Sequence, residues 1–235
     1  MSAILFDFFG TLVSYSASRV DQGYPRCHEF LRAHGSAQSY RDFLTEIDSC
    51  FAEFDRRSDI DDREFSMGEV ASAFLARASI DGDPAEFERR YLAEWSAGVV
   101  VPPALASLLT ALRETHRLAV VSNTHSSTMV PELLAGAGIA ELFDAVVLSV
   151  DVGWRKPHPR IYAAALGAMR VPPAEAIFVG DSYLADYAGP SAAGIAAFLI
   201  DPARSADIPD DRRIDSVFDL RPGGWQSRDG GSITG

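Results

Sequence analysis

The segment Phe6-Asp7-Phe8-Phe9-Gly10-Thr11-Leu12 sets a carboxylate at the end of an apolar run, a glycine three residues later and a hydroxyl beside it. A carboxylate so placed can attack phosphorus and divide one difficult displacement into two easier ones. Gly10 allows close backbone approach to a phosphate group. On its own, an aspartate at a strand end is as readily a turn or capping residue. Three further segments change that balance. Ser122-Asn123 offers a hydroxyl and an amide to phosphate oxygens. Lys156, in Trp154-Arg155-Lys156-Pro157, offers an ammonium that neutralises charge on a nucleophile and on a transferring group. Gly180-Asp181-Ser182, followed by Asp186, offers the hard oxygen ligands that suit Mg²⁺. Lys156 is also the only lysine in the chain, and a point-charge ammonium is not interchangeable with a planar guanidinium.

These residues need elements that bring them together. Five short apolar runs, 3–6, 118–121, 146–148, 176–179 and 196–200, each end in or just before a polar residue. Continuous rather than alternating apolar character predicts strands buried on both faces, hence a parallel sheet covered by helices. Helical periodicity at 104–113, 128–137, 159–169 and 184–193 lies between them, with Gly138 and Gly194 placed as C-caps. The alternation is that of a doubly wound α/β domain. In such sheets ligands bind beyond the carboxyl ends of the strands, where Asp7, Ser122 and Asp181 would converge. The stretch 15–96 carries no strand signal. Its apolar residues recur at helical spacing, as in Phe43, Leu44, Ile47, Phe51 and Phe54, so it is expected to form a small helical bundle inserted into a core of 1–14 and 97–220. Hinges are expected at 14–19 and 96–102, and the Gly/Ser-rich tail 221–235 is expected to fray.

Composition narrows the partners. With 235 residues and 47% hydrophobic content, the chain suffices for one sizeable core and a smaller module. A formal net charge of -12 argues against nucleic acid or an anionic membrane surface as the main partner, because both reward basic residues. No apolar run is long enough to span a bilayer. Cys27 and Cys50 have neither C-x-x-C spacing nor a histidine set suited to zinc, and are read as reduced thiols of a cytoplasmic protein. The N-terminal residues lead straight into the first strand with no targeting pattern. A small ligand is the expected partner.

In order and context, the four segments resemble the motifs of the haloacid-dehalogenase superfamily across nearly the whole chain. The resemblance implies a Rossmann-like α/β core with a helical cap of the C1 type that closes over small substrates. It implies Asp7 as nucleophile, Ser122 as the second-motif hydroxyl, Lys156 as the third-motif base, and Asp181 with Asp186 as the acidic fourth motif. Gly10, Thr11, Ser122, Asn123 and Lys156 would then hold phosphate, and Mg²⁺ would be held by Asp7, the backbone carbonyl of Phe9, Asp181 and Asp186.

The chain departs from that pattern at one position. Phosphatases of the family carry a second aspartate two residues after the nucleophile, acting as acid to the leaving group and base to water. Here it is Phe9, which transfers no proton; losing a positioned general acid costs roughly 10²–10⁴-fold. Three readings follow. One is a phosphohydrolase whose small phosphorylated substrate has a good leaving group, such as an acyl phosphate, or whose acid comes from elsewhere, with His125, Tyr15 and the substrate itself as candidates. Another is a hydrolase similar to the 2-haloacid dehalogenases, which carry an aromatic residue at this position. The last is a binding or scaffold protein without turnover. The fourth motif favours the first over the second: Asp181 beside Asp7 puts like charges in one pocket, which is costly unless a cation or proton sits between them, and Mg²⁺ is the natural occupant. A Schiff-base route through a cap lysine is closed, since the cap has none.

Other residues carry weaker signals. His125 and His158 fit helix-start or loop roles and have no partner at metal-ligand spacing. Arg19, Arg26, Arg56 and Arg57 can bind an anionic substrate tail or simply solvate a helix face. Tyr15 and Tyr24, near the first hinge, are candidate substrate contacts, and Trp154 has packing as its default role.

Overall fold

The structure is a computed structural model that describes residues 2–16 and 23–221. The chain divides into two compact units, Met1–Ser14 with Val101–Gly235, and Tyr15–Val100. The second passage between them lies at 100/101 rather than at 96/97. Its cause is local: beyond Ser96 the chain keeps turning, with the Gly98 N–H donating to the Trp95 carbonyl and the Val99 N–H to the Ser96 carbonyl. The tail beyond 221, Arg19 and much of the first expected hinge fall outside the described residues.

In chain order the elements are β1 (Ala3–Phe6), α1 (Pro25–Ala33), α2 (Tyr40–Asp61), α3 (Met67–Arg77), α4 (Pro84–Ser96), α5 (Leu105–Arg113), β2 (Arg117–Ser122), α6 (Met129–Gly136), β3 (Ala145–Leu148), α7 (Ser149–Val152), α8 (Pro159–Met169), β4 (Ala176–Gly180), α9 (Gly189–Ala192), β5 (Ala196–Ile200) and β6 (Arg213–Ile214). The strands form one sheet in the order β3-β2-β1-β4-β5-β6, with parallel pairing throughout. This is a Rossmann-like α/β fold. The central strand β1 is buried along its whole length, as its unbroken apolar sequence requires.

Three features of this unit differ from the sequence expectation. The two-residue strand β6 and the one-turn helix α7 are too short to leave a periodic signal. The stretch read as one helix over 184–193 is instead a π turn, Tyr183–Ala188, running into the short α9. Pro190 lacks an N–H and so cannot continue an ordinary helical ladder through this point.

The other unit is made of α1 to α4. Their starts are fixed locally. Ser39 caps α2 by accepting from the Asp42 N–H, Ser66 and Glu69 form a reciprocal capping box on α3, and Asp83 precedes Pro84 at the start of α4. Inside, Phe43, Phe51, Phe74 and Phe87 are buried, with Phe74 edge-on to Phe43 at 5.8 Å and stacked on Phe87 at 5.1 Å. Cys27 and Cys50 are buried here as free thiols. Among the described residues, no helix is long and apolar enough to cross a membrane.

Candidate active site

The strand order makes β1 the point at which connections leave in opposite directions, β2 lying on one side and β4 on the other. Crevices form at the carboxyl ends of strands at such a point. Asp7 begins where β1 stops, its N–H donating to the Val179 carbonyl of β4 at 2.9 Å. Two glycines let acidic groups close in. Gly10 has φ +87°, and a Cβ there would stand 2.2 Å from Asp181 Oδ2; a Cβ on Gly180 would stand 2.3 Å from Asp186 Cγ.

Lys156 is the electrostatic centre. Its Nζ donates to Asp7 Oδ1 and to Asp186 Oδ1, each at 2.7 Å, with the ammonium buried. The other oxygen of Asp186 accepts from the Ser182 N–H at 2.9 Å, and that of Asp7 faces the Thr11 hydroxyl at 3.4 Å. Oxygens of Asp7, Asp181 and Asp186 lie within 4.8 Å of one another. With all three ionised, one ammonium leaves two negative charges uncompensated in a largely buried site. The Asp7 carboxyl is accordingly pushed up to about 7, by burial first and by Asp186 and Asp181 as well, against the opposing pull of Lys156. Asp181, exposed at the outer edge, is also raised, by desolvation and by Asp186. Burial acts to lower Lys156, but Asp186 and Asp7 outweigh it and hold the ammonium charged. A hard divalent cation fits this donor set: carboxylate oxygens converge, and positive charge is what the site lacks.

Asn123 takes a different place from the one its amide suggested. Its Nδ2 donates to the Lys156 carbonyl at 3.0 Å and its Oδ1 accepts from the Lys156 N–H at 2.7 Å. Both polar ends of the side chain are thus committed to the lysine's backbone, which positions the ammonium. Ser122 is buried at the end of β2, beside this pairing. The loop after it is locked by Ser149, whose hydroxyl accepts from the Thr124 N–H at 2.8 Å and faces the Thr124 carbonyl at 3.2 Å. Ser149 was visible only as the polar residue ending a strand; nothing in the sequence tied it to a loop 25 residues earlier. Phe9 is half-buried, its ring edge-on to Phe8 at 4.9 Å.

The remaining candidates sort themselves. His158 caps α8, its Nδ1 accepting from the Arg160 N–H at 3.3 Å, and stacks on Trp154 at 4.0 Å, with the Arg160 guanidinium 4.8 Å from the same indole. Trp154 therefore packs over the loop that carries Lys156. Tyr24 is a core residue rather than a substrate contact: it is fully buried and stacked on Tyr91 at 4.4 Å. Tyr15 is exposed and lies 6.0 Å from Trp95, while Arg57 lies over Phe54 at 5.2 Å.

A family model described as haloacid dehalogenase-like hydrolase matches residues 1–194, and the chain belongs to that family. Among curated proteins, it is 39% identical over 112 residues to the human haloacid dehalogenase-like hydrolase domain-containing protein 3, covering 45% of this chain and 44% of the relative. It is 38% identical over 124 residues to phosphoserine phosphatase of Thermus thermophilus, covering 51% and 48%. The chain thus spans about half the length of these curated relatives. Solved structures match along nearly the whole chain. A HAD phosphatase from Thermococcus onnurineus aligns with TM-score 0.63 and 27% identity over 94% of this chain and 96% of that one. A 2-haloacid dehalogenase from Pseudomonas syringae aligns with TM-score 0.68 and 23% identity over 92% and 95%, a likeness of fold alone.

Proposed function

We propose that the protein is a Mg²⁺-dependent phosphohydrolase that transfers the phosphoryl group of a small phosphorylated compound to Asp7 and then to water. The observation that carries this reading is the convergence of three carboxylates, two of them bonded to the single ammonium of Lys156, which leaves the cluster two charges short of neutrality when all are ionised. A dehalogenase working without metal has no need for such an acidic excess. The phosphatase names of several relatives lend further support.

Asp7, Asp181, Asp186 and the carbonyl of Phe9 would hold Mg²⁺, which when bound supplies charge neutralisation at the phosphoryl oxygens. Asp7 attacks phosphorus, its oxygen forming a P–O bond as the bond to the leaving oxygen breaks. Water then displaces phosphate from the aspartyl phosphate and regenerates the Asp7 carboxylate. Lys156 stabilises charge on both the nucleophile and the phosphoryl group, with the Thr11 and Ser122 hydroxyls and the backbone at Gly10 and Asn123 as further contacts. Asn123 keeps the ammonium in place. Phe9 supplies no proton to the departing oxygen, so leaving groups that need none, as in acyl phosphates, are the favoured substrates.

The test is phosphate release from a panel of phosphomonoesters and acyl phosphates, with Mg²⁺ or EDTA, beside halide release from 2-haloacids. The expected result is Mg²⁺-dependent phosphate release that falls by about 10⁴-fold or more in Asp7→Asn. Halide release insensitive to EDTA would overturn the proposal in favour of dehalogenation.

A further inference from the structure

Asp186 stands on a turn whose backbone ladder has a gap. In the π turn Tyr183–Ala188, N–H groups reach carbonyls five residues back, and the Gly189 N–H accordingly goes to the Leu184 carbonyl. In that register the Ala185 carbonyl would accept from residue 190. Residue 190 is Pro190, which has no N–H. A buried or half-buried carbonyl without a donor is costly, and native structures fill such positions from a side chain or water.

Here the donor is Tyr162. Its hydroxyl reaches the Ala185 carbonyl at 2.6 Å from α8, the helix that follows the Lys156 loop. The ring is fully buried and stands edge-on to Phe178 at 5.9 Å, and Lys156 Nζ lies 5.2 Å from the Phe178 ring on its own account. Gly189 clears the space: a Cβ there would come within 2.2 Å of the Tyr162 hydroxyl oxygen. Pro190 removes a donor, Gly189 opens a path and Tyr162 fills the vacancy. The acceptor so satisfied belongs to the residue immediately before Asp186.

We infer that Tyr162 is a positioning residue for Asp186, holding the π turn in the register that sets the Asp186 carboxylate against Lys156 and beside Asp7 and Asp181. Relaxing one residue of the turn toward an α register would rotate Asp186 by about 100° around the helix axis, away from all three of these groups. The inference rests on the metal-binding reading of the site. Tyr162 acts through the backbone and touches none of the reacting atoms.

The test is calorimetric titration of the metal-free protein with Mn²⁺, comparing wild type, Tyr162→Phe and Ile161→Val. Tyr162→Phe keeps the ring and removes only the hydroxyl, and is expected to weaken Mn²⁺ binding roughly 10- to 100-fold, the usual cost of losing a group that orients a metal ligand. Ile161→Val trims the neighbouring buried side chain of the same helix and is expected to lower the melting temperature with Mn²⁺ affinity unchanged. Equal affinity in Tyr162→Phe and wild type overturns the inference, as does equal weakening in both variants, which would be general loosening. Should Tyr162→Phe fail to fold, Gly189→Ala crowds the same hydroxyl from the other side, and unchanged Mn²⁺ affinity in that variant overturns the inference equally. Wild type without Mn²⁺ affinity overturns the metal-binding reading itself, a result distinct from all of these.

Discussion

Of the ten polar or charged side chains buried among the described residues, the α/β unit holds nine and the helical unit one, Ser58. Buried aromatic rings run the other way, nine in the smaller helical unit against five in the larger one. The helical unit is built as an apolar bundle in which nearly every interior group gains from leaving water. In the α/β unit, Asp7, Thr11, Ser122, Lys156 and Asp186 are drawn out of water together at the ends of strands. Burying charge is unfavourable unless it is paired, and this site is paired incompletely. One unit's interior is thus explained by folding alone. The other's carries a charge imbalance that a retained proton or a bound cation would relieve.

The largest expected effect tests whether that imbalance is matched to a particular chemistry. Phe9→Asp places a carboxyl two residues after the nucleophile. Turnover of phosphomonoesters with poor leaving groups is expected to rise by roughly 10²–10⁴-fold, while acyl phosphates, whose leaving group needs no proton, gain only through activation of the hydrolytic water and so gain less. A steady-state comparison of the two substrate classes reads this directly. Equal acceleration of both, or none, breaks the link between Phe9 and leaving-group protonation.

A pair of substitutions sharpens the contrast between the units themselves. Lys156→Met removes the ammonium from Asp7 and Asp186, and losing one partner of a buried ion pair costs about 3–5 kcal/mol. Phe74→Ala empties a buried ring site among Phe43 and Phe87 and costs about the same, 3–5 kcal/mol. Chemical denaturation should show two similar losses. Their response to Mg²⁺ should differ: a divalent cation offsets the carboxylates left unpaired in Lys156→Met, raising its stability more than that of the parent, and gives Phe74→Ala only the increment that wild type gains. Identical Mg²⁺ responses would show that the acidic cluster is not the cation site.

What the sequence made legible follows from the kind of signal each feature leaves. Strands β1 to β5 were readable because burial on both faces demands unbroken apolar runs such as Ala3 to Phe6. Asp7, Lys156, Asp181 and Asp186 were readable as candidates because Lys156 is the only lysine and the acidic groups stand in the order of the family's motifs. Asn123 was readable as a site residue but not in its orientation, since the pairing with Lys156 spans 33 positions of chain. Tyr24 looked like a substrate contact because of its place near an expected hinge; its stacking on Tyr91 depends on how α1 meets α4, which no local pattern encodes. The π turn was misread as an α-helix because its apolar and small residues satisfy either period over so short a span. Only Pro190 hinted that the ladder breaks, and the hydroxyl that mends it comes from 23 positions earlier.

The smallest expected effect is also the one that isolates Asp7. Its carboxyl is raised from 3.8 to about 7, so the folded protein retains a proton that the unfolded chain has shed between those values. Stability must therefore fall as pH rises through that window. Asp181 acts in the same sense, as does Glu88 of the helical unit, raised by burial. Asp201 is held low by the Ala206 and Ser205 N–H groups and contributes its change below 3.8, outside the window. Metal-free protein in EDTA is expected to melt higher near about pH 5 than near about pH 7.5, with Mg²⁺ at the higher pH restoring much of the difference. Asp7→Asn should melt above wild type at the higher pH and flatten most of the slope, leaving what Asp181 and Glu88 contribute, opposed by His116, whose imidazole is held low by burial and whose contribution rises with pH. If Glu88→Gln flattens the profile instead, the pH dependence belongs to the helical unit, and the uncompensated charge at Asp7 is smaller than the geometry of its three carboxylates implies.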